Sequence, residues 1–339
     1  MTASLIIPVY NDPDGLRDTL DSLLAHTPST PEILVVDNGS TDHTTEVADQ
    51  YAADHNHVSL HFERDIQSSY AARNTGIEHA SGDVLVFLDA DQTVTEGWLT
   101  IALNELTERD AHYLAPDVRL VAPAEPTLAG RYNYLTGFPI PTFIEEHGFA
   151  PTACLFVTRE LLDDVGRFDH RLVSGGDKEF GNRVRDAGYT LHYTPDVVIH
   201  HPTRNSLRSL VKRNLRIGCG HCQLQQHYPN RYGYMGIPPR PSGTHGDQLR
   251  APADDSEPND RTPQGAERLL LPLMAAGMTL TRESATTRSV SPRSLAPGAT
   301  DYSSNASRDS VSTSHVPSLP PRRSRSDAIT SEMFESNTA

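Results

Sequence analysis

The chain has 339 residues, enough for one large domain or two ordinary ones. Acidic residues outnumber basic ones by 44 to 29, and residues 1–200 hold 32 of the acids but only 12 bases, which argues against nucleic acid as a partner. Three cysteines exclude a disulfide framework and favour a reducing, cytoplasmic interior.

Strand-like and helix-like segments alternate over the first hundred residues. We predict buried strands at 4–10, 32–37, 58–63 and 83–89, and helices at 14–27, 40–54 and 68–80. Strands separated by helices of this length form βαβ units with a parallel sheet. The first residues carry no charged leader and no long apolar core, so we expect the fold to begin at residue 4 rather than a signal peptide.

Polar residues follow three of these strands at the point where each ends. The pairs are Asn11 and Asp12, Asp37 and Asn38, and Asp89 and Asp91. Ligands of such sheets bind outside the carboxyl ends of the strands. Two carboxylates held close repel each other, and either a divalent cation offsets that repulsion or each acid caps the following helix in a solvated loop.

The next hundred residues have a weaker pattern. A helix is predicted near 97–110, followed by a proline-rich, loop-like stretch to 150. Residues 153–160 are typical of a strand entering a helix, and 166–189 of a glycine-hinged loop followed by a helix from about 177 to 187. Residues 191–201 then predict one or two short strands.

A basic segment, residues 203–217, stands out on so acidic a chain. Its cations recur four residues apart, and its apolar residues form another side of the predicted helix; they are Arg204, Arg208, Lys212 and Arg216, with Leu207, Leu210, Val211 and Leu215. Such a helix is typical of peripheral contact with anionic lipids. It would equally suit the phosphate of a polyprenyl phosphate, or a helix packed on the domain with its arginines paired to acids.

Residues 219–222 read CGHC, as in the active site of thiol oxidoreductases. That chemistry needs a preceding strand and a helix N-terminus at the first thiol. Here a basic helix precedes the motif, and Gly218 and Gly220 predict that the helix ends there. Two cysteines and one histidine are also too few for a closed zinc site, so we assign the motif no redox or zinc role.

The composition changes after about residue 235. Residues 236–339 are rich in Ser, Pro, Thr and Arg and poor in apolar residues, which predicts a disordered, low-complexity tail. A genuine tail and a shifted reading frame both account for the abrupt change. The longest apolar stretch, 269–280, has about half the length that spans a bilayer, so any membrane contact is predicted to be peripheral.

Five segments, in order and spacing, look like family 2 glycosyltransferases of the GT-A fold. They are SLIIPVYND, ILVVDNGSTD, AARNTGIEHASGDVLVFLDAD, VGRFDHRLVSGGDKEFGNRVRDAG and VIHHPTRNSL, and they cover about residues 4–220. The resemblance implies an α/β fold with a Rossmann-like, mostly parallel central sheet flanked by helices. It also implies transfer of a sugar from a nucleoside diphosphate to an acceptor hydroxyl, with inversion and with Mg²⁺ or Mn²⁺.

The resemblance divides the chain into a domain at 1–235 and the tail. Residues 1–95 would form a nucleotide-sugar half, 96–202 an acceptor half, and 203–217 the basic helix.

The resemblance assigns donor and metal roles to the residues that match the family's motifs. Asp91 would ligate the metal directly, and Asp89 would hold the ribose or a metal-bound water, since carboxylates suit a hard divalent cation that offsets the leaving diphosphate's charge. The nucleotide pocket would comprise Pro8, Tyr10, Asp12, Asp37 and Arg73. DNGSTD is also a good turn sequence, and Arg73 could instead pair with an acid.

The remaining site residues follow from the last two segments. Direct displacement needs a base for the acceptor hydroxyl, and Asp177 matches the family's catalytic acid, although Gly176 stands where the family often has Glu. Asp177 could also cap its helix, and Glu179 is a weaker candidate base. Of His200 and His201, the proline that follows favours His201 as a metal or diphosphate contact; as an alternative, both histidines are surface-loop residues.

We therefore predict an inverting, metal-dependent glycosyltransferase at the cytoplasmic face of the membrane. The acidic, arginine-over-lysine composition resembles proteins of salt-loving archaea, which suggests a polyprenyl- or dolichyl-phosphate-linked glycan acceptor in protein N-glycosylation or surface polysaccharide assembly. The alternative is a non-catalytic sugar-nucleotide-binding module that recruits partners, against which intact Asp89, Asp91 and Asp177 argue. A nucleotidyltransferase would need a glycine-rich, lysine-bearing phosphate loop that the sequence lacks.

Overall fold

The computed structural model describes residues 1–233, in which strands and helices alternate. The strands are β1 (Ala3–Val9), β2 (Glu32–Asp37), β3 (Val58–Phe62), β4 (Val84–Leu88), β5 (Thr93–Val94), β6 (Tyr113–Val121), β7 (Cys154–Thr158) and β8 (His192–Pro202). The helices are α1 (Pro13–His26), α2 (Thr44–Asp54), α3 (Ser69–His79), α4 (Trp98–Glu108), α5 (Leu128–Thr136), α6 (Ile140–Thr142), α7 (Arg159–Val165), α8 (Gly176–Asp186), α9 (Leu207–His227) and α10 (Pro229–Tyr232), with a π-helical turn at Phe143–His147.

The described strands form one sheet in the order β3-β2-β1-β4-β7-β6-β8-β5. The first four are parallel, as their alternation with helices predicts, and β6 and β8 are also parallel. The strand β7 runs antiparallel between β4 and β6, and β5 runs antiparallel to β8. The predicted mostly parallel α/β sheet is confirmed, and the antiparallel strands β7 and β5 add to it.

The core lies on both faces of this sheet. Every residue of β4 is buried, as expected of a continuous apolar run covered by helices on each side. Helix α1 contributes Leu16, Leu20 and Leu23, which share one face at helical spacing. Burial of such side chains stabilises the fold by roughly 1.5–3 kcal/mol each, and it holds the strand ends that carry the polar residues.

Four elements of the middle region were missed by the sequence pattern. Residues 113–121 form β6, although Pro116 lies within the run, and 128–136 form α5; α6 and the π-helical turn follow. The pairing of β6 with β8 shifts its register between Pro116 and Asp117, where proline has no N–H to donate to a ladder. Pairing with two neighbouring strands overrides the local loop signal.

The prediction for the basic segment was wrong in its bounds. The helix α9 begins at Leu207, so Arg204 precedes it, and it continues through the CGHC motif to His227. The glycines Gly218 and Gly220 do not end it; both are buried in its middle. The predicted apolar side is also incomplete, because Leu207 is 56% exposed while Leu210 packs against α5.

The predicted tail at 236–339 lies outside the described residues. Among residues 1–233, no helix is both long and apolar enough to cross a membrane.

Candidate functional site

The carboxyl ends of β1, β2 and β4 lie side by side at one edge of the sheet. Because these strands are parallel neighbours, the polar residues that follow them meet at that edge. Backbone contacts join the loops: Asn38 N–H donates to the Val9 carbonyl at 2.9 Å, and Asp12 N–H donates to Thr44 Oγ1 at 2.9 Å. These contacts fix the loops relative to one another, so their polar residues share one surface.

Asp12 begins α1 beside the Asp89–Asp91 segment. Its carboxylate accepts from Gly15 N–H at 3.1 Å, as a helix-capping residue does. A side chain at Gly15 would place its Cβ 2.8 Å from the Ala90 carbonyl oxygen, so the glycine allows α1 to approach that segment. Burial raises the pKa of Asp12, and the charges of nearby acids raise it further.

Asp91 faces His201 across 3.7 Å, measured from Oδ1 to Nε2. His201 is 4% exposed, and its Nδ1 lies 2.9 Å from the Pro202 carbonyl oxygen. A carbonyl only accepts, so the His201 Nδ1 donates to it, and Nε2 is the ring atom that faces the carboxylate. Burial raises the pKa of Asp91 despite the neighbouring His201, and Asp89 raises it further. A ring nitrogen and a carboxylate oxygen thus face each other.

Arg73 pairs with Asp89 rather than standing free for a nucleotide. Its Nη2 donates to Asp89 Oδ1 at 2.7 Å and to the Thr152 carbonyl at 3.3 Å, and the arginine is 4% exposed. This is the ion pair that the sequence left open as an alternative. It orients the Asp89 carboxylate, which does not join Asp91 and His201 in one cluster of side chains.

Asp177 is the second residue of α8, and its Oδ1 accepts from the Lys178 backbone N–H at 2.9 Å. Burial raises the pKa of its carboxyl group, although the charges of Arg73 and Arg216 act in the opposite direction. The other candidate base, Glu179, is buried and ion-paired with Arg183 at 2.8 Å. Asp177 is thus the better-placed proton acceptor of the two.

The structure gives a reason for Gly176, the departure from the family's usual Glu. A Cβ at this position would lie 2.7 Å from the Tyr70 ring. The Tyr70 ring therefore fills the space beside the backbone where a side chain at 176 would begin. Tyr70 precedes the AARNTG segment by sequence and was not identified from it.

The residues predicted to bind the nucleotide's base are buried or half-buried. Asp37 is almost fully buried, and both its carboxylate oxygens lie 3.2 Å from Ser40 N–H, the turn-capping contact that DNGSTD also allows. Pro8 lies within β1 and Tyr10 just after it, both half-buried. His200 pairs with Thr93 of β5, and on a strand its side chain points to the face opposite His201.

Two arginines join the site in a way that the helix prediction missed. Arg204 is half-buried just before α9, and burial and the charge of Arg216 lower its pKa, while Asp91 and Asp89 oppose that change. Arg216 also acts on Asp177. The predicted helix face assigned both arginines to lipid, to an acceptor phosphate or to acid partners, and the "PTR" segment beside His201 was the available signal for Arg204.

The thiols of the CGHC motif lie in the middle of α9. Burial raises the pKa of both Cys219 and Cys222, the opposite of a reactive thiol.

Asp91 and His201 form a pair of metal-ligand type, but residues 1–233 contain no group of three or more His, Cys, Asp or Glu side chains placed to hold a metal ion. A cation held here by the protein would take two protein ligands and leave its other positions to a ligand.

Known proteins resemble this chain in sequence. The profile of "Glycosyl transferase family 2" matches residues 4–165. Glycosyltransferase AglE of Haloferax volcanii is 37% identical over 223 residues, which cover 65% of this chain and 73% of that protein. Pre-mycofactocin glycosyltransferase of Mycobacterium tuberculosis is 27% identical over 246 residues, 67% of this chain and 48% of that protein.

Solved structures resemble it in fold. The mannosyltransferase PcManGT from Pyrobaculum calidifontis, in complex with GDP-Man and Mn²⁺, has a TM-score of 0.51 at 20% identity and covers 84% of this chain and 73% of its own. GalNAc-T7 with UDP, GalNAc and Mn²⁺ has a TM-score of 0.50 at 17% identity, covering 68% and 52%. The predicted GT-A fold is confirmed.

Proposed function

This chain belongs to glycosyl transferase family 2, and from that membership we propose that it transfers a sugar from a nucleoside-diphosphate donor to an acceptor hydroxyl with inversion and with Mg²⁺ or Mn²⁺. The proposal covers residues 1–235 as the catalytic domain, with the donor half at 1–95 and the acceptor half at 96–202.

The facing side chains of Asp91 and His201 carry this proposal. Nε2 and Oδ1 lie 3.7 Å apart, and the other ring nitrogen, Nδ1, faces the Pro202 carbonyl. A metal-bound histidine usually donates its other ring N–H to a carbonyl or carboxylate, as His201 does to Pro202. Nitrogen and carboxylate oxygen suit Mn²⁺, so the residues fit, and the bound ion would supply charge neutralisation for a departing diphosphate. Asp89 as a further ligand stays a prediction.

Asp177 is the proposed base. In a single displacement the acceptor oxygen forms a bond to the anomeric carbon, the bond from that carbon to the diphosphate oxygen breaks, and the hydroxyl proton moves to the Asp177 carboxylate. Burial strengthens the carboxylate as a base by raising its pKa, while Lys178 N–H holds one oxygen and leaves the other for the acceptor.

The arginines provide the positive charge of the site. Arg73 holds Asp89 in one orientation, and Arg204 and Arg216 repel each other until an anion lies near both. A diphosphate would offset that repulsion because an arginine fork suits phosphate oxygens. Complexes of PcManGT with GDP-Man and of GalNAc-T7 with UDP support a nucleoside diphosphate as the class of donor.

The acceptor is proposed to be a saccharide on a polyprenyl or dolichyl phosphate, met at the cytoplasmic face of the membrane. The start of α9 supports this, because Leu207, Arg208 and Lys212 are exposed together there, an apolar side chain beside two cations. Similarity to the glycosyltransferase AglE supports sugar transfer, and a role in protein glycosylation is part of the proposal. We expect sedimentation with anionic but not zwitterionic vesicles, weakened in an Arg208→Ser, Lys212→Ser variant and not in Arg17→Ser.

Thermal unfolding with nucleoside diphosphates, with and without Mn²⁺ and at high salt, tests the donor site. A nucleotide present at a hundredfold excess over its Kd adds about 2.7 kcal/mol to the free energy of unfolding, or roughly 5–10 °C in Tm for a domain of this size. We expect that shift to need Mn²⁺ and to be lost in Asp91→Ala but kept in Asp49→Ala, an exposed acid on α2.

Three results would contradict the proposal. No shift with any nucleotide would remove the donor site. A metal-dependent shift together with unchanged turnover in Asp177→Asn would remove the base, and a shift with no turnover by the parent on any lipid-linked acceptor would favour a sugar-nucleotide-binding module.

A further inference from the structure

Helix α9 holds the loop that leads to Asp177, residues 171–175, by a side chain that no role above uses. The Gln223 amide makes two hydrogen bonds to the loop backbone: Oε1 accepts from Val173 N–H at 2.8 Å, and Nε2 donates to the Arg171 carbonyl at 3.0 Å. Gln223 itself is buried, while Arg171 and Val173 of the loop are exposed. They bracket Leu172, which is fully buried.

Close packing of α9 on the same loop accompanies these bonds. Gly220 of the CGHC motif lies against Ser174, where a Cβ would stand 2.7 Å from the Ser174 Cβ. Leu224 packs against Gly175, which has φ +83 and so adopts a left-handed conformation that glycine allows. The glycine of the motif thus serves close approach of the helix to the loop.

Helix α3 contacts the other side of the loop. Ser68 Oγ donates to the Leu172 carbonyl at 3.4 Å, and the Tyr70 ring lies against Gly176. The loop is therefore fixed between two helices directly before α8 begins, one residue ahead of Asp177. Its position sets where the Asp177 carboxylate stands.

We propose that Gln223 is a positioning residue, which sets the distance between the Asp177 carboxylate and the acceptor hydroxyl. The inference rests on the proposed role of Asp177 as base. The two hydrogen bonds of Gln223 fix the position of the loop along α9 and its orientation, whereas apolar contacts alone would let the loop shift along the helix. A displacement of about 1 Å at a base can cost on the order of a hundredfold in rate.

The test compares Gln223→Met, which keeps the side chain's length and removes both bonds, with Gln226→Met, an exposed glutamine on the same helix. We expect kcat to fall by about tenfold or more in Gln223→Met, with the KM for donor within about twofold of the parent. Gln226→Met should match the parent. An unchanged kcat in folded Gln223→Met would overturn the proposal.

A second variant covers the case in which Gln223→Met does not fold. Gln223→Glu keeps the acceptor for Val173 N–H and loses the donor to Arg171, so kcat should again fall and the KM for donor stay near the parent's; parent kcat in this variant would equally overturn the proposal.

The double variant separates positioning from a general structural role. If Gln223 acts through the base, its substitution adds nothing further to the residual rate of Asp177→Asn. Additive losses would mean that Gln223 acts elsewhere. Full activity of Asp177→Asn would overturn the proposed base. An inactive Asp177→Asn together with a fully active Gln223 variant would instead keep the base and overturn only the positioning role.

Discussion

Replacing Arg73 with methionine tests the link between Asp89, in the proposed donor half, and Asp177, the proposed base. The substitution keeps much of the buried stem and removes the guanidinium, which donates to Asp89 at 2.7 Å and to the Thr152 carbonyl. A hydrogen bond to a charged group contributes about 1.5–3 kcal/mol, and losing one partner of a fully buried pair costs about 3–5 kcal/mol. The Asp89 side chain is 35% exposed, so water recovers part of that loss.

We therefore expect about 2 kcal/mol less stability in Arg73→Met, or a fall in Tm of roughly 4–8 °C. Thermal or urea unfolding measures it, and the cycle with Asp89→Asn isolates the pair. The matched control is Arg17→Met, which breaks an exposed ion pair with Asp14 and should change stability by less than about 1 kcal/mol. The Arg73 effect should persist in high salt, because buried charges are weakly screened.

The same variant should move the pH profile. The charge of Arg73 lowers the pKa of Asp177, so removing that charge raises this pKa. The base must be ionised, and the acidic limb of kcat/KM therefore shifts to higher pH. A limb that stays in place or moves to lower pH, or a coupling energy near zero between Arg73 and Asp89, would refute the reasoning.

Three further outcomes are expected. In Asp177→Asn, transfer should fall by roughly 10²–10⁴-fold. In the parent, the pKa of Asp177 is higher in the folded than in the unfolded state, so stability falls as pH rises from the unfolded-state to the folded-state pKa. Asparagine does not ionise and lacks this loss. Unfolding at neutral pH should therefore show Asp177→Asn to be more stable than the parent. Gly176→Ala places a Cβ 2.7 Å from the Tyr70 ring and should cost about 1–3 kcal/mol, with partial recovery by Tyr70→Leu; equal stability of Gly176→Ala would contradict the contact. His201→Ala should weaken Mn²⁺-dependent nucleotide binding at least tenfold in calorimetry, and unchanged binding would remove it as a ligand.

Much of the donor half could be predicted from local sequence. The strands β1, β2 and β4 are continuous apolar runs, and only a strand covered on both faces keeps such runs from water. Parallel pairing then brings Asp12, Asp37 and the Asp89–Asp91 pair to one edge. Five ordered motifs added the family and the fold, which the comparisons confirm.

Other features depended on contacts between distant parts of the chain. The segment 113–121 became β6 because two strands pair with it, although Pro116 signals a loop. The glycines of CGHC suggested a helix end, yet Gly220 is buried where α9 meets Ser174. Local propensity is worth about 1 kcal/mol for a glycine, which tertiary packing of a helix readily exceeds.

The sequence by itself determined the strands, the acids at their ends and the family, because these follow from periodicity and from motifs of nearby residues. Only the tertiary structure decided the partners: Asp89 for Arg73, His201 for Asp91, and the loop backbone for Gln223. Residue spacing predicts which side chains share a face of one element. It does not predict which residue more than a hundred positions away, as His201 is from Asp91, will lie opposite, because that depends on how all the elements pack together.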